Sequence, residues 1–110
     1  MGRDGLGEFE QVVLLTVWRL GADAYGAAIR RELQERSGRR RSISAIYVTL
    51  MRLEKKGLVQ STLADPTPVR GGKAKRLFDV APAGLEALKS ARTMMNRMWE
   101  GLESADPHVR

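Results

Sequence analysis

The sequence predicts a mainly α fold with one small β-hairpin, an α+β class. Three observations carry that prediction. Four stretches of the 110 residues place apolar side chains at the three- and four-residue intervals of a helix. Glycine stands where the first three of them stop. Between the third and the fourth, two strand-like runs, 58–63 and 74–80, flank a connection rich in proline and glycine. By size the chain is one domain.

The first helix is expected over 6–20. Val12, Val13, Leu14, Leu15, Val17, Trp18 and Leu20 leave scarcely a polar side, so it must be covered on more than one face. Its own domain covers one, and a partner subunit is the natural cover for another. Gly21 ends it. Asp23 is the expected cap of the second helix, 24–37. Tyr25, Ile29 and Leu33, with Ala28 alongside, form its apolar stripe, and Arg30, Arg31, Glu32, Gln34, Glu35 and Arg36 take the wet face. Gly38 stops it, and Arg39-Arg40-Arg41 forms a loop. Ser42 or Ser44 caps the third helix, 44–56, which Gly57 stops. Ile46, Leu50 and Leu53 face its core side. The opposite surface carries Ser44, Ala45, Val48, Thr49, Met51, Arg52 and Lys55. This mixture of small, apolar and basic groups suits base edges and thymine methyls better than it suits bare solvent.

The two strands are joined through Asp65-Pro66-Thr67-Pro68 and Gly71-Gly72, longer than a tight hairpin needs, so the connection should project. A lone hairpin is marginal in water and must pack on the helices through Leu77, Phe78 or Val80. Pro82 opens the last helix, 82–104, at a position where proline is tolerated. Leu88, Ala91, Met95, Met98 and Leu102 then recur at coiled-coil spacing, and Leu85 and Trp99 widen the seam. Residues 1–5 and 105–110 are expected to be flexible ends.

The net charge of +6 is unevenly placed: residues 30–76 hold 13 Lys/Arg against 4 Asp/Glu, and the remainder is mildly acidic. A basic centre with acidic flanks points to a polyanion as partner, against the plainer reading of a solvated basic face. Other chemistry is thin. Without cysteine there is neither a disulfide nor a thiolate metal site, and His108 stands alone in a polar tail. No nucleophile elbow, Walker loop or His/carboxylate cluster is present, and Arg70-Gly71-Gly72-Lys73 lacks a P-loop frame. We therefore expect no enzyme, no cofactor and no metal. No apolar run approaches the ~18 residues of a membrane span. The N-terminus has no signal-peptide core, and Leu6 stands where a myristoylation site needs Ser or Thr. A cytoplasmic protein without a membrane partner is the default.

Helix, helix, helix, strand, strand, helix is the order of a winged helix-turn-helix (6–80) with an added C-terminal dimerisation helix (82–104) of the same compact domain. In its residues the chain resembles the PadR family of transcriptional regulators. The resemblance runs through Leu6-Gly7-Glu8-Phe9-Glu10-Gln11 with Leu14-Leu15, Asp23-Ala24-Tyr25-Gly26 with Ile29 and Leu33, and Ile46-Tyr47 with Leu50. It continues through Arg52-Leu53-Glu54, Gly57-Leu58-Val59, Arg70-Gly71-Gly72, Lys75-Arg76-Leu77-Phe78 and Pro82-Ala83-Gly84. It covers about 6–88; each segment is weak alone, and their order and spacing are specific. Ala81 departs from the family's usual capping threonine, Leu77-Phe78 from an aromatic pair ending in tyrosine, and Asp79 adds a negative charge near the wing.

On this reading Ser44, Val48, Thr49 and Arg52 reach base edges, with Arg52 suited to a guanine and Val48 or Thr49 to a thymine methyl. Tyr47 is either the family's phosphate-donating tyrosine or a core-edge aromatic beside Ile46. Arg70, Lys73, Lys75 and Arg76 hold phosphates, Gly71 and Gly72 let the wing approach closely, and Arg39, Arg40 and Arg41 add backbone charge. Phe9, Val13, Leu88, Ala91, Met95, Met98, Trp99 and Leu102 are expected at a homodimer interface. The resemblance further implies double-stranded DNA with an inverted-repeat operator as partner, and repression. It also implies a small aromatic effector at Met95, Met98 and Trp99, for which plain dimer packing is the simpler alternative. The competing reading of the whole chain is a winged-helix module that binds protein or RNA, although exposed stacking aromatics would be expected of an RNA binder.

Overall fold

In the computed structural model, which describes residues 5–64 and 75–102, three helices precede a hairpin and a fourth helix follows it. The elements are α1 (Glu8–Leu20), α2 (Gly26–Ser37), α3 (Ile43–Lys55), β1 (Val59–Leu63), β2 (Arg76–Val80) and α4 (Pro82–Trp99). The expected α+β class and the winged-helix order are both present.

α1 starts where Glu10 turns back to accept the Gly7 N–H at 2.9 Å, satisfying one of the donors a helix start leaves unpaired. The second helix begins at Gly26, two residues later than expected, and Asp23 does not cap it. Asp23 lies in a short 3-10 turn, Gly21–Asp23. Ala24 and Tyr25 are used otherwise. The Phe78 N–H donates to the Ala24 carbonyl at 2.8 Å, and Tyr25 bridges to Leu77. A two-stranded hairpin leaves the outer edge of β2 unpaired. Pairing that edge with 24–25 satisfies more backbone than an earlier helix start would. Gly57, in the left-handed region at φ 78°, turns the chain from α3 into the hairpin.

β1 and β2 pair antiparallel, with Val59 opposite Val80, Ser61 opposite Phe78 and Leu63 opposite Arg76. The two-residue period puts these six on one face, where Val59 and Phe78 are buried against the helices. The core joins Val13, Leu14 and Val17 of α1, Ile29 and Leu33 of α2, Ile46, Leu50 and Leu53 of α3, the two strands and Leu88 of α4. Two residues expected at a dimer interface, Val13 and Leu88, pack in the chain's own core: Val13 has no exposed surface, and Leu88, 7% exposed, borders the cleft between α1 and α4.

α4 starts without a side-chain cap. The Gly84 N–H, a donor that a threonine hydroxyl could have accepted, donates to the Ala81 carbonyl at 2.8 Å, and the Ala81 N–H anchors the start of the helix by donating to the Leu58 carbonyl at 2.9 Å. Only Gly84 and Leu88 of α4 are buried. Leu102 lies beyond the end of the helix, its N–H donating to the Trp99 carbonyl in a turn, which corrects the expectation that it continues the helical seam. Residues 1–4, 65–74 and 103–110, with the ends assigned to them, are outside the described residues.

Candidate nucleic-acid interface

The exposed side of α3 is built by its cap and its period. The Ser42 hydroxyl accepts the Ala45 N–H at 3.1 Å, so Ser42 is the cap and Ser44 is left exposed in the first turn. Ser44, Val48, Met51, Arg52 and Lys55 follow at intervals of three and four and are all exposed. Thr49 does not join them. It lies three residues past Ile46 and four before Leu53, on the core side, and is 4% exposed. Its hydroxyl donates to the Ala45 carbonyl at 3.1 Å. The expectation that Thr49 reads bases is therefore corrected.

Tyr47 stands as the core-edge aromatic of the two descriptions given for it. Its ring is half-buried at the core edge, 6.1 Å from Phe78. Its phenol lies over the first turn of α2, where a Cβ on Gly26 would stand 2.7 Å from Cζ; no larger residue fits there without moving the tyrosine. A surface groove of about 530 Å³ opens at this point, lined by Tyr25, Gly26, Ile43, Tyr47, Lys75 and Arg76 among others. The Lys75 ammonium sits 4.2 Å from the centroid of Tyr25, a cation–π contact. Arg76 Nη1 donates to Ser61 Oγ at 2.9 Å. Two cations at the wing base thus flank a helix N-terminus, a setting that favours an anion. Arg70, Gly71, Gly72 and Lys73 lie outside the described residues.

The three loop arginines differ from one another. Arg39 is ion-paired with Glu8. The Arg41 guanidinium lies 5.2 Å from the centroid of Phe9, and its carbonyl accepts from Arg30 Nε at 3.2 Å. Arg40 is exposed. At the far end of α3, Lys56 donates to both oxygens of Glu10 at 3.0 Å and so is committed to the fold. Burial works against the Glu10 charge. The Gly7 N–H and Lys56, with Arg52 nearby, outweigh it and hold the carboxyl below the usual glutamate range.

Residues 14–90 match the family model described as the transcriptional regulator PadR-like family. The chain belongs to the PadR-like family. Solved structures share the fold. A PadR family transcription regulator from Clostridium difficile is 22% identical, with a TM-score of 0.68 over 84% of this chain and 91% of that one. One from Eggerthella lenta is 23% identical, with a TM-score of 0.66 over 88% of each chain. RosR of H. salinarum is 24% identical, with a TM-score of 0.68 over 92% of this chain and 83% of that one. Among curated proteins there is no significant match. PadR-like proteins are DNA-binding transcription regulators and not enzymes.

A second feature of this PadR-like regulator lies away from α3. A groove of about 530 Å³ runs between α1 and α4, lined by Gln11, Leu15, Trp18, Leu88, Ala91 and Met95 among others. Met94, Met95, Met98 and Trp99 are each about half exposed or more along α4, and Leu15 and Trp18 along α1. Of the residues expected at a dimer interface, Leu88, Ala91 and Met95 line this groove, and Met98 and Trp99 are exposed further along α4. Phe9 is instead half-buried against its own core. Leu15 and Trp18, not among the residues expected at an interface, also line the groove, and the apolar run on every side of the first helix is the sequence signal for them. No helix of the described residues is long and apolar enough to cross a membrane, and no three His, Cys, Asp or Glu among them gather as a metal site.

Proposed function

We propose that the chain is a sequence-specific repressor that acts in the cytoplasm as a homodimer on an inverted-repeat operator. Residues 6–80 form its DNA-binding unit and α4, with α1, its dimerisation surface. The observation that carries this reading is the exposed stripe Ser44, Val48, Met51, Arg52 and Lys55 on α3, flanked by Lys75 and Arg76 at the wing base. α3 enters the major groove. Arg52 pairs with a guanine and Val48 touches a thymine methyl, which selects sequence. The wing and Arg40 take phosphates, which fixes register without selecting sequence. With about five phosphates neutralised per dimer, log K falls with log salt at a slope of roughly −4 to −5.

Two α3 helices related by a two-fold axis require half-sites about one helical turn, roughly 10 base pairs, apart. The bound dimer excludes RNA polymerase where the operator overlaps a promoter. A small aromatic effector at Met95, Met98 and Trp99 loosens the dimer, since methionine surfaces repack readily and tryptophan stacks on flat ligands. Selection of bound duplexes from random DNA at near-physiological salt tests the reading. An enriched inverted repeat is the expected outcome. Salt-sensitive binding without any enrichment would instead leave a non-specific binder, or a module whose partner is protein or RNA.

A further inference from the structure

We infer that Ser61 and Glu54 are positioning residues for the wing, holding the Arg76 guanidinium in the orientation in which it meets a DNA phosphate. The inference rests on the proposed role of Arg76 and adds the device that sets it. Three side chains from three elements form one polar chain. Arg76 Nη1 of β2 donates to Ser61 Oγ of β1 at 2.9 Å, and that hydroxyl donates to Glu54 Oε2 of α3 at 2.8 Å. The strand register makes this contact. Arg76 is opposite Leu63 and Phe78 is opposite Ser61, so Ser61 is the diagonal neighbour of Arg76 on the face turned towards α3.

The chemistry of each group fits the task. A hydroxyl has one proton and two lone pairs. Once its proton is committed to Glu54, a lone pair is left to receive Arg76, so Glu54 decides which way Ser61 faces. The arginine spends one Nη1 proton here. Among the described residues none bonds Nε or Nη2, the edge suited to a bidentate phosphate contact. A carboxylate placed directly against Arg76 would compete with the phosphate. The interposed hydroxyl orients the cation with far less cancellation of its charge. Because Glu54 belongs to the recognition helix, the chain also fixes where the wing's cation stands relative to the bases that helix reads. Freezing a long side chain before binding removes part of the ordering cost of the complex.

The test measures affinity of the full chain for its selected operator duplex and for a random-sequence duplex, across a salt series, beside thermal melts. Arg76→Ala should weaken both duplexes and flatten the salt slope. Ser61→Ala should weaken both by about three- to tenfold, the size of one hydrogen bond, and flatten the slope as Arg76→Ala does. Ser61→Thr should restore both readouts, and Ser61→Ala should add nothing in an Arg76→Ala background. Glu54→Ala should shift them in the same direction by less. Should Ser61→Ala and Glu54→Ala lower the melting temperature while leaving affinity and slope unchanged, with Arg76→Ala still harmful, the chain is only a staple of the hairpin and the inference fails. A neutral Arg76→Ala would overturn the wing reading itself, a result separable from that one.

Discussion

α3 and α4 are both amphipathic helices, yet the chain closes over one and not the other. In α3, Ile46, Leu50 and Leu53 have no exposed surface, because α1, α2 and the hairpin surround them. In α4, burial stops at Leu88, and Met98 and Trp99 are 67% and 54% exposed. The outer face of α3 is mixed and basic, while that of α4 is apolar. An apolar stripe thus says that a helix face is to be covered, but not by what. Where the covering lies within the chain, the opposite face stays exposed and carries polar and basic groups. Where it does not, the apolar stripe itself is left at the surface, as exposed patches that mark interaction sites are.

The largest test of that contrast is Leu50→Ala, which should cost about 2–5 kcal/mol in a denaturant melt by opening a cavity in a filled core. A loss below about 1 kcal/mol would mean that α3 is not the closed helix described. Next, Met95→Lys combined with Met98→Lys should turn the dimer into a monomer in sedimentation and remove the concentration dependence of the melting temperature. An unchanged mass would place the interface elsewhere.

Glu10→Gln loosens the clamp between α1 and the end of α3, at about 1 kcal/mol for a charge-assisted bond partly retained. Its pH dependence is specific. Because the folded carboxyl titrates below the ordinary glutamate range, its stabilisation is complete above that range. It is lost as pH falls through the lowered folded value. The wild-type protein should therefore lose stability in acid faster than Glu10→Gln, and parallel acid curves would discount the clamp. The smallest effect on folding is expected at Trp99→Leu, within about 0.5 kcal/mol for an exposed site in the single chain. That variant should keep its DNA affinity and lose release by an aromatic effector, and unchanged release would remove Trp99 from the effector site.

Helix periods, glycine stops and the positive centre are local properties, so the sequence alone determined the element order, the winged-helix class, the basic face of α3 and the family. It also marked Ser42 as one of two caps. Tertiary packing decided the rest. Thr49 looks like a surface residue by type, but the three- and four-residue steps from Ile46 and to Leu53 carry it inward. Ala24 and Tyr25 read as helix until the free edge of β2 is there to claim their backbone. Val13 and Leu88 share the apolar pattern of Met95 and Met98, and only the position of α4 on the domain separates own core from open surface. The Glu54–Ser61–Arg76 chain joins residues whose partners are chosen by strand register. Neither burial nor register is encoded in any short window, because both depend on which surfaces distant segments bring together.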